Sequence, residues 1–286
     1  MAAVAEGFKE QVTVLGKRRS LVSIITRPTT ADAIDRPAVV ILNTGIIHRV
    51  GHHRMYVTLS RTLARRGYTV VRFDFSGIGD SAPSEDRMAP LAACLAEVKE
   101  VLDSIAQTHK FTRFVLVGLC SGADHAIMYG SNDPRVVGLV LMDPTLPPTP
   151  RYYFHYVTQR LLNPRNWLSV VTGRSGLMRL AATQLRRQVQ VKKNSSEELT
   201  LQNLQFSPQL AQSYRTASVR SVNMLAVFTS VSVRHTYQRQ ILDAFPEAGA
   251  AGRLRLEYFP DSDHLFSTQN ARERLYHVIE DWLESA

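Results

Sequence analysis

Hydrophobic and polar positions alternate between two periods along most of this chain. "EQVTVLG" and "SLVSIITRP" are rich in β-branched residues and end at Gly or Pro, which predicts a strand pair near the start. "PAVVILNTG" is an unbroken apolar run behind a proline, the pattern of a strand buried on both faces. "MYVTLSRTLARRG" then places its apolar residues at helical spacing and closes with a glycine. The alternation continues through strand "YTVVRFDFSG", helix "LAACLAEVKEVLDSIAQ", strand "RFVLVG", helix "ADHAIMYG" and strand "VVGLVLMD". It stops at the Pro-rich "PTLPPTP" and returns with strand "VNMLAVFTS", helix "TYQRQILDAF", strand "LRLEYFP" and helix "ARERLYHVIEDWL". Strands that alternate with helices predict an α/β protein with a mostly parallel, doubly wound sheet. The basic, amphipathic text between has no strand signal. We therefore expect a core of residues 1–145 and 222–286, with a helical lid or cap inserted at 146–221.

Composition adds limits. The chain has 286 residues, 44% of them hydrophobic, enough for a sizeable core. No apolar run reaches the roughly 18 residues that a membrane span needs, and the start lacks the pattern of a secretory signal. Cys94 and Cys120 make no disulfide framework, and Cys94 lies on a helical pattern as a buried thiol. A cytoplasmic protein is the expectation. The net charge of +9 suits a phosphate-bearing partner, such as a coenzyme A or carrier-protein thioester, but equally a basic soluble enzyme. No zinc-finger spacing or RNA-recognition motif points to nucleic acid. No ligand cluster points to a metal, and no bound cofactor is expected.

The candidate chemistry lies in "FVLVGLCSGADHAIM". Gly118-Leu119-Cys120-Ser121-Gly122 has small residues two before and two after the cysteine, between a predicted strand and a predicted helix. That is the spacing of a nucleophile elbow, G-x-S-x-G, with Cys in place of Ser. The turn would expose the thiol at a helix N-terminus, where dipole and free N–H groups favour a thiolate. Ser121 is one position out of frame. Its side chain should point elsewhere, and its backbone N–H should serve as an oxyanion donor. Among nine histidines, His264 in "YFPDSDHLFS" follows a predicted strand at the edge where ligands bind in such sheets, and it is the candidate base.

The order of strand, "FDFSGIGDS", elbow and late "DH" resembles the α/β-hydrolase superfamily. "HRVGHHRMYVTLSRTLARRGYTVVRFDFSGIGDS", "VLVGLCSGAD" and "PDSDHLFS" resemble, more narrowly, the exosortase-associated hydrolases, which carry an RVGxHR stretch and a GLCDGA elbow. The resemblance covers most of the chain and implies the hydrolase fold with a Cys-based triad. Superfamily members usually carry the triad acid after the strand matching "NMLAVFTS". Here Val231 occupies that place, and no Asp or Glu occurs between Val222 and Gln240. Some members, such as haloalkane dehalogenases, place the acid at the end of the preceding strand. Asp143 is then the candidate that orients His264; its other reading is the start of a turn. Asp263, adjacent to His264, is expected to support the loop.

The second oxyanion donor is expected after "VVILNTG", where Gly45 permits close backbone approach and the N–H of Ile46 follows. Arg49, His53 and Arg54 are candidates for binding a substrate carboxylate or phosphate, or for pinning that loop. Gly77 to Ser81 reads as a tight structural loop. Three functions remain open. One is an esterase or thioesterase acting on a small-molecule substrate through a Cys120 acyl-enzyme. Another is a biosynthetic acyltransferase with a carrier- or coenzyme A-bound donor. The third is a catalytically silent binding protein on a hydrolase scaffold. The oligomeric state is not legible.

Overall fold

The computed structural model describes residues 7–17, 20–29, 36–85, 87–147, 149–152, 207–230, 237–250 and 252–285. The strands are β1 (Phe8–Leu15), β2 (Leu21–Pro28), β3 (Ala38–Ile41), β4 (Val70–Phe73), β5 (Phe114–Leu119), β6 (Val136–Met142), β7 (Asn223–Thr229) and β8 (Leu254–Phe259). They form one sheet in the order β1-β2-β4-β3-β5-β6-β7-β8. β1 pairs with β2 and β2 with β4 antiparallel, and every later pairing is parallel. This is the expected doubly wound α/β-hydrolase architecture.

The burial of each strand follows from its text. β3 and β5 are buried at every position, as unbroken apolar runs in the middle of a parallel sheet must be. β1 lies at the edge and is mostly exposed between its buried ends. The α-helices α1 (Met55–Arg65), α2 (Pro90–His109), α3 (Ser121–Gly130), α4 (Pro208–Val219), α5 (Gln240–Ala244), α6 (Pro246–Ala250) and α7 (Gln269–Ser285) lie between or after the strands. α7 turns Leu275, Val278, Ile279, Trp282 and Leu283 into the same apolar cluster as Val39, Val117 and Leu225. Each such side chain contributes roughly 1.5–3 kcal/mol by leaving water. The Tyr68 hydroxyl donates to the Leu283 carbonyl at 2.9 Å and fixes the end of α7.

Two compact units divide the chain, residues 1–147 with 207–286 and residues 148–206. α4 lies inside the stretch expected to be an insertion but belongs to the first unit, where Tyr214 stacks on Phe245 with ring centroids 4.5 Å apart. The rest of the expected lid, 153–206, lies outside the described residues.

Arg72 is an unexpected core residue. It sits in the buried strand β4 and is 2% exposed. Its guanidinium donates to Glu10 Oε1 at 3.0 Å, and Glu10 Oε2 accepts from Arg61 of α1 at 2.6 Å. Burial disfavours the Glu10 carboxylate, but Arg61 and Arg72 outweigh it and hold its pKa below the ordinary value. Removing one partner of such a pair leaves a charge stranded in the core. Glu10→Ala should therefore destabilise the protein by about 3 kcal/mol in denaturant unfolding. Adding Arg72→Met to Glu10→Ala should recover much of that loss, and no recovery would exclude the stranded charge as its cause.

Candidate active site

β5 ends at Leu119 and α3 begins at Ser121, so one residue turns the chain from sheet to helix. That residue is Cys120, at φ 56° and ψ −119°, a conformation that L residues adopt only under constraint. Backbone bonds hold it there. Cys120 N–H donates to the Met142 carbonyl of β6 at 2.9 Å, and the Cys120 carbonyl accepts from the N–H groups of Ala123 and Asp124. The flanking glycines are sterically required. A Cβ on Gly118 would lie 2.2 Å from the Gly122 carbonyl carbon, and one on Gly122 would lie 2.5 Å from the Asn43 oxygen. The chain thus makes a sharp strand-to-helix turn, with Cys120 partly exposed at its tip.

His264 follows β8, and Asp143 follows β6, two strands away in the sheet. The fold brings them together. His264 Nδ1 donates to Asp143 Oδ2 at 2.8 Å. The Asp143 carboxylate is almost completely buried and also accepts from the Thr229 N–H at 2.8 Å and the Thr229 hydroxyl at 2.6 Å. These bonds fix the carboxylate plane, and the carboxylate fixes the imidazole. The ring also bonds the Cys120 side chain. Its pKa is raised to about 9: the bond to Asp143 and then the bond to Cys120 overcome the opposing effect of burial. Asp143 thus lies against His264, the candidate base. The alternative acid position near Val231 lies outside the described residues.

Asp263 supports the His264 loop, as expected. Its Oδ1 accepts from the N–H groups of Leu265 at 3.2 Å and Ser267 at 2.9 Å. Burial opposes its charge, but the bonds from Ser267 and Leu265 and the nearby His53 hold its pKa low.

The β3 end forms a tight turn, with the Ile47 N–H donating to the Thr44 carbonyl at 2.9 Å and Gly45 at φ 54°. The Ser121 side chain, expected to point away from the nucleophile, accepts from the Gly45 N–H at 2.8 Å. Among the described residues the N–H groups of Ser121 and Ile46, the two expected oxyanion donors, meet no protein acceptor.

The three candidate substrate cations separate. Arg49 is a loop pin: its guanidinium pairs with Asp74 and also donates to Asp80 at 2.6 Å, and its N–H meets Asp74 Oδ1 at 2.5 Å. The two carboxylates fit the loop-pinning reading of this residue. His53 and Arg54 are exposed, at φ 49° and 59°, and His53 is close enough to Asp263 to bias its ionisation.

Several site residues carried no readable signal. Thr229 is the last residue of β7, and only the assembled sheet sets it beside Asp143. Tyr56 is buried in α1, and its hydroxyl meets Thr44 Oγ1 at 2.7 Å and the Leu119 backbone. Burial raises its pKa to about 12.

Residues 36–227 match the family described as serine aminopeptidase, S33. A search of curated proteins finds no match. Solved structures share the fold. A putative dienelactone hydrolase from Klebsiella pneumoniae is 14% identical with a TM-score of 0.59, covering 98% of this chain and 99% of that one. An esterase from Pyrococcus furiosus is 12% identical with a TM-score of 0.62, covering 100% and 93%. The mouse α/β-hydrolase domain-containing protein 10 is 14% identical with a TM-score of 0.55, covering 96% and 99%. At such identities the likeness speaks for the fold. Among the described residues no helix is long and apolar enough to cross a membrane.

A folded-state pKa raised above the unfolded value contributes stability that is full below the unfolded value and lost as pH rises through the folded one. For His264 that window runs from about 6.5 to about 9. Asp143→Asn should bring the His264 titration, followed by imidazole NMR, down from about 9 toward 6.5. It should also remove the His264 share of the fall in stability across the window. An unchanged titration would mean that Asp143 does not set the imidazole.

Proposed function

The chain belongs to the serine aminopeptidase S33 family of α/β-hydrolases, and from that premise we propose that it is an acyl-transfer hydrolase with Cys120 as nucleophile. The observation that carries this reading is the chain of contacts from Asp143 through His264 to Cys120, with 2.8 Å between the carboxylate and Nδ1. The substrate is a small-molecule ester or thioester, free or bound to coenzyme A or a carrier protein. The thiolate attacks its carbonyl carbon, a C–S bond forms, and the carbonyl electron pair moves onto oxygen. The N–H groups of Ser121 and Ile46 hold that oxyanion. Collapse expels the alkoxide or thiolate, which takes the proton from the His264 imidazolium. His264 then removes a proton from water, water attacks the acyl-enzyme, and the cysteine thiolate leaves.

A histidine with a pKa of about 9 supports the cysteine in this role. It carries a proton at neutral pH and can stand as imidazolium beside a thiolate. The bond between His264 and Asp143 also weighs against a silent binding protein, whose best support was the absence of an acid after β7. Kinship with the exosortase-associated hydrolases is part of the same proposal and rests on the RVGHHR and GLCSGA stretches.

Intact-protein mass spectrometry after mixing with a short acyl thioester tests the reading. A single acyl adduct should form on Cys120 and clear in water. Cys120→Ala should remove the adduct and lower turnover by at least roughly 10³-fold, with thermal stability nearly unchanged. Turnover at the native rate would reject Cys120 as nucleophile. An adduct that clears only when an alcohol, amine or thiol is added would reassign the protein as an acyltransferase.

A further inference from the structure

The turn expected to supply the second oxyanion donor has little packing of its own. Ile46 is 88% exposed, and a Cβ on Gly45 would find no atom within 4 Å. Besides its internal bond, the start of the turn is held against the elbow. On one side the Gly45 N–H donates to Ser121 Oγ at 2.8 Å. On the other, Thr44 Oγ1 meets the Tyr56 hydroxyl at 2.7 Å, and that hydroxyl lies close to the Leu119 backbone. Leu119 and Ser121 are the residues immediately before and after Cys120. Thr44 and Gly45, at the start of the turn, therefore each face one neighbour of Cys120, while Asn43 Nδ2 donates to the Ile47 carbonyl at its far end at 2.9 Å. The Tyr56 link is buried, whereas the Ser121 link lies at the exposed rim, next to Ile46.

We propose that Ser121 is a positioning residue whose hydroxyl holds the Thr44–Ile47 turn so that the Ile46 N–H faces the reacting oxygen. The proposal rests on the acyl-transfer reading. A hydroxyl at this position does two things that a small apolar residue cannot. It takes up the Gly45 N–H, which would otherwise turn toward water, and it sets the distance between turn and elbow. Because the Ile46 N–H that this contact places acts most strongly on the charged intermediate, its loss should appear in kcat more than in substrate affinity. A displacement of about 1 Å at such a donor costs on the order of 10²-fold in rate.

Three variants with a short acyl thioester decide this: Ser121→Ala, Ser121→Thr and Tyr56→Phe. Ser121→Ala should lower kcat by roughly 10- to 100-fold with KM within about 2-fold. Ser121→Thr keeps the acceptor and should stay within about 3-fold of the native kcat. Tyr56→Phe, which loosens the other side, should also lower kcat. Alkylation of Cys120 by iodoacetamide needs no oxyanion donor, so its rate should stay native in Ser121→Ala. A native kcat in Ser121→Ala, or a Thr variant as slow as the Ala one, would overturn the proposal while leaving Cys120 as nucleophile. Alkylation slowed as much as acylation would assign Ser121 to the thiol and not to the turn, which also overturns it. Absence of any acyl adduct on the native protein would remove the acyl-transfer reading, and this proposal with it.

Discussion

The bend at Cys120 is the constraint from which the site follows. A non-glycine residue at φ 56° and ψ −119° costs on the order of 1–3 kcal/mol and persists only where its surroundings enforce it. Three elements do so at once. β6 receives the Cys120 N–H, the first turn of α3 donates to its carbonyl, and the β3 end packs so closely that Gly122 has no room for a Cβ. The same closeness that stores the strain brings the β3 turn beside Cys120. Strain at Cys120 and the placement of the proposed oxyanion donors are thus two aspects of one packing arrangement.

The placement of the acid shows how sheet order substitutes for sequence proximity. β6 lies between β5, which leads into Cys120, and β7, which ends at Thr229. An acid at the end of β6 can accept from both Thr229 groups and still reach the histidine that follows β8. Burial of a carboxylate without partners would be prohibitive; three hydrogen bonds make it tolerable here. Thr229 then does for the acid what the acid does for His264: it removes rotational freedom.

The parts of this architecture that were legible in the sequence are those governed by local pattern. Period changes marked each strand and helix around the elbow, and glycines at 118 and 122 marked the bend. His264 stood out because a loop after the last strand has one destination in this topology. The parts that were not legible depend on which strand ends meet. Arg49 and Asp74 lie 25 residues apart, yet adjacent strands β3 and β4 bring them together. Without that pairing a cation beside the turn looks like a substrate ligand. Ser121 and Gly45 are 76 residues apart, and their bond depends on how tightly β3 approaches α3. Arg72 reads as a break in an apolar strand until Glu10 is placed across β2 from it.

The chemistry of the proposed nucleophile closes the argument on electrostatic grounds. A hydroxyl nucleophile needs a neutral imidazole to accept its proton, so a base protonated through most of the physiological range would leave a serine idle. A thiol has a much lower intrinsic pKa than a hydroxyl, and beside an imidazolium and a helix N-terminus it can ionise before substrate arrives. The Asp143 carboxylate and then the Cys120 side chain raise the His264 pKa to about 9, which suits an imidazolium beside a thiolate. Cys120 and the tightly held Asp143 are then mutually consistent choices. The Asp143 contact orients the imidazole and stabilises its charged form, and beside the proposed thiolate it holds the counter-ion in place.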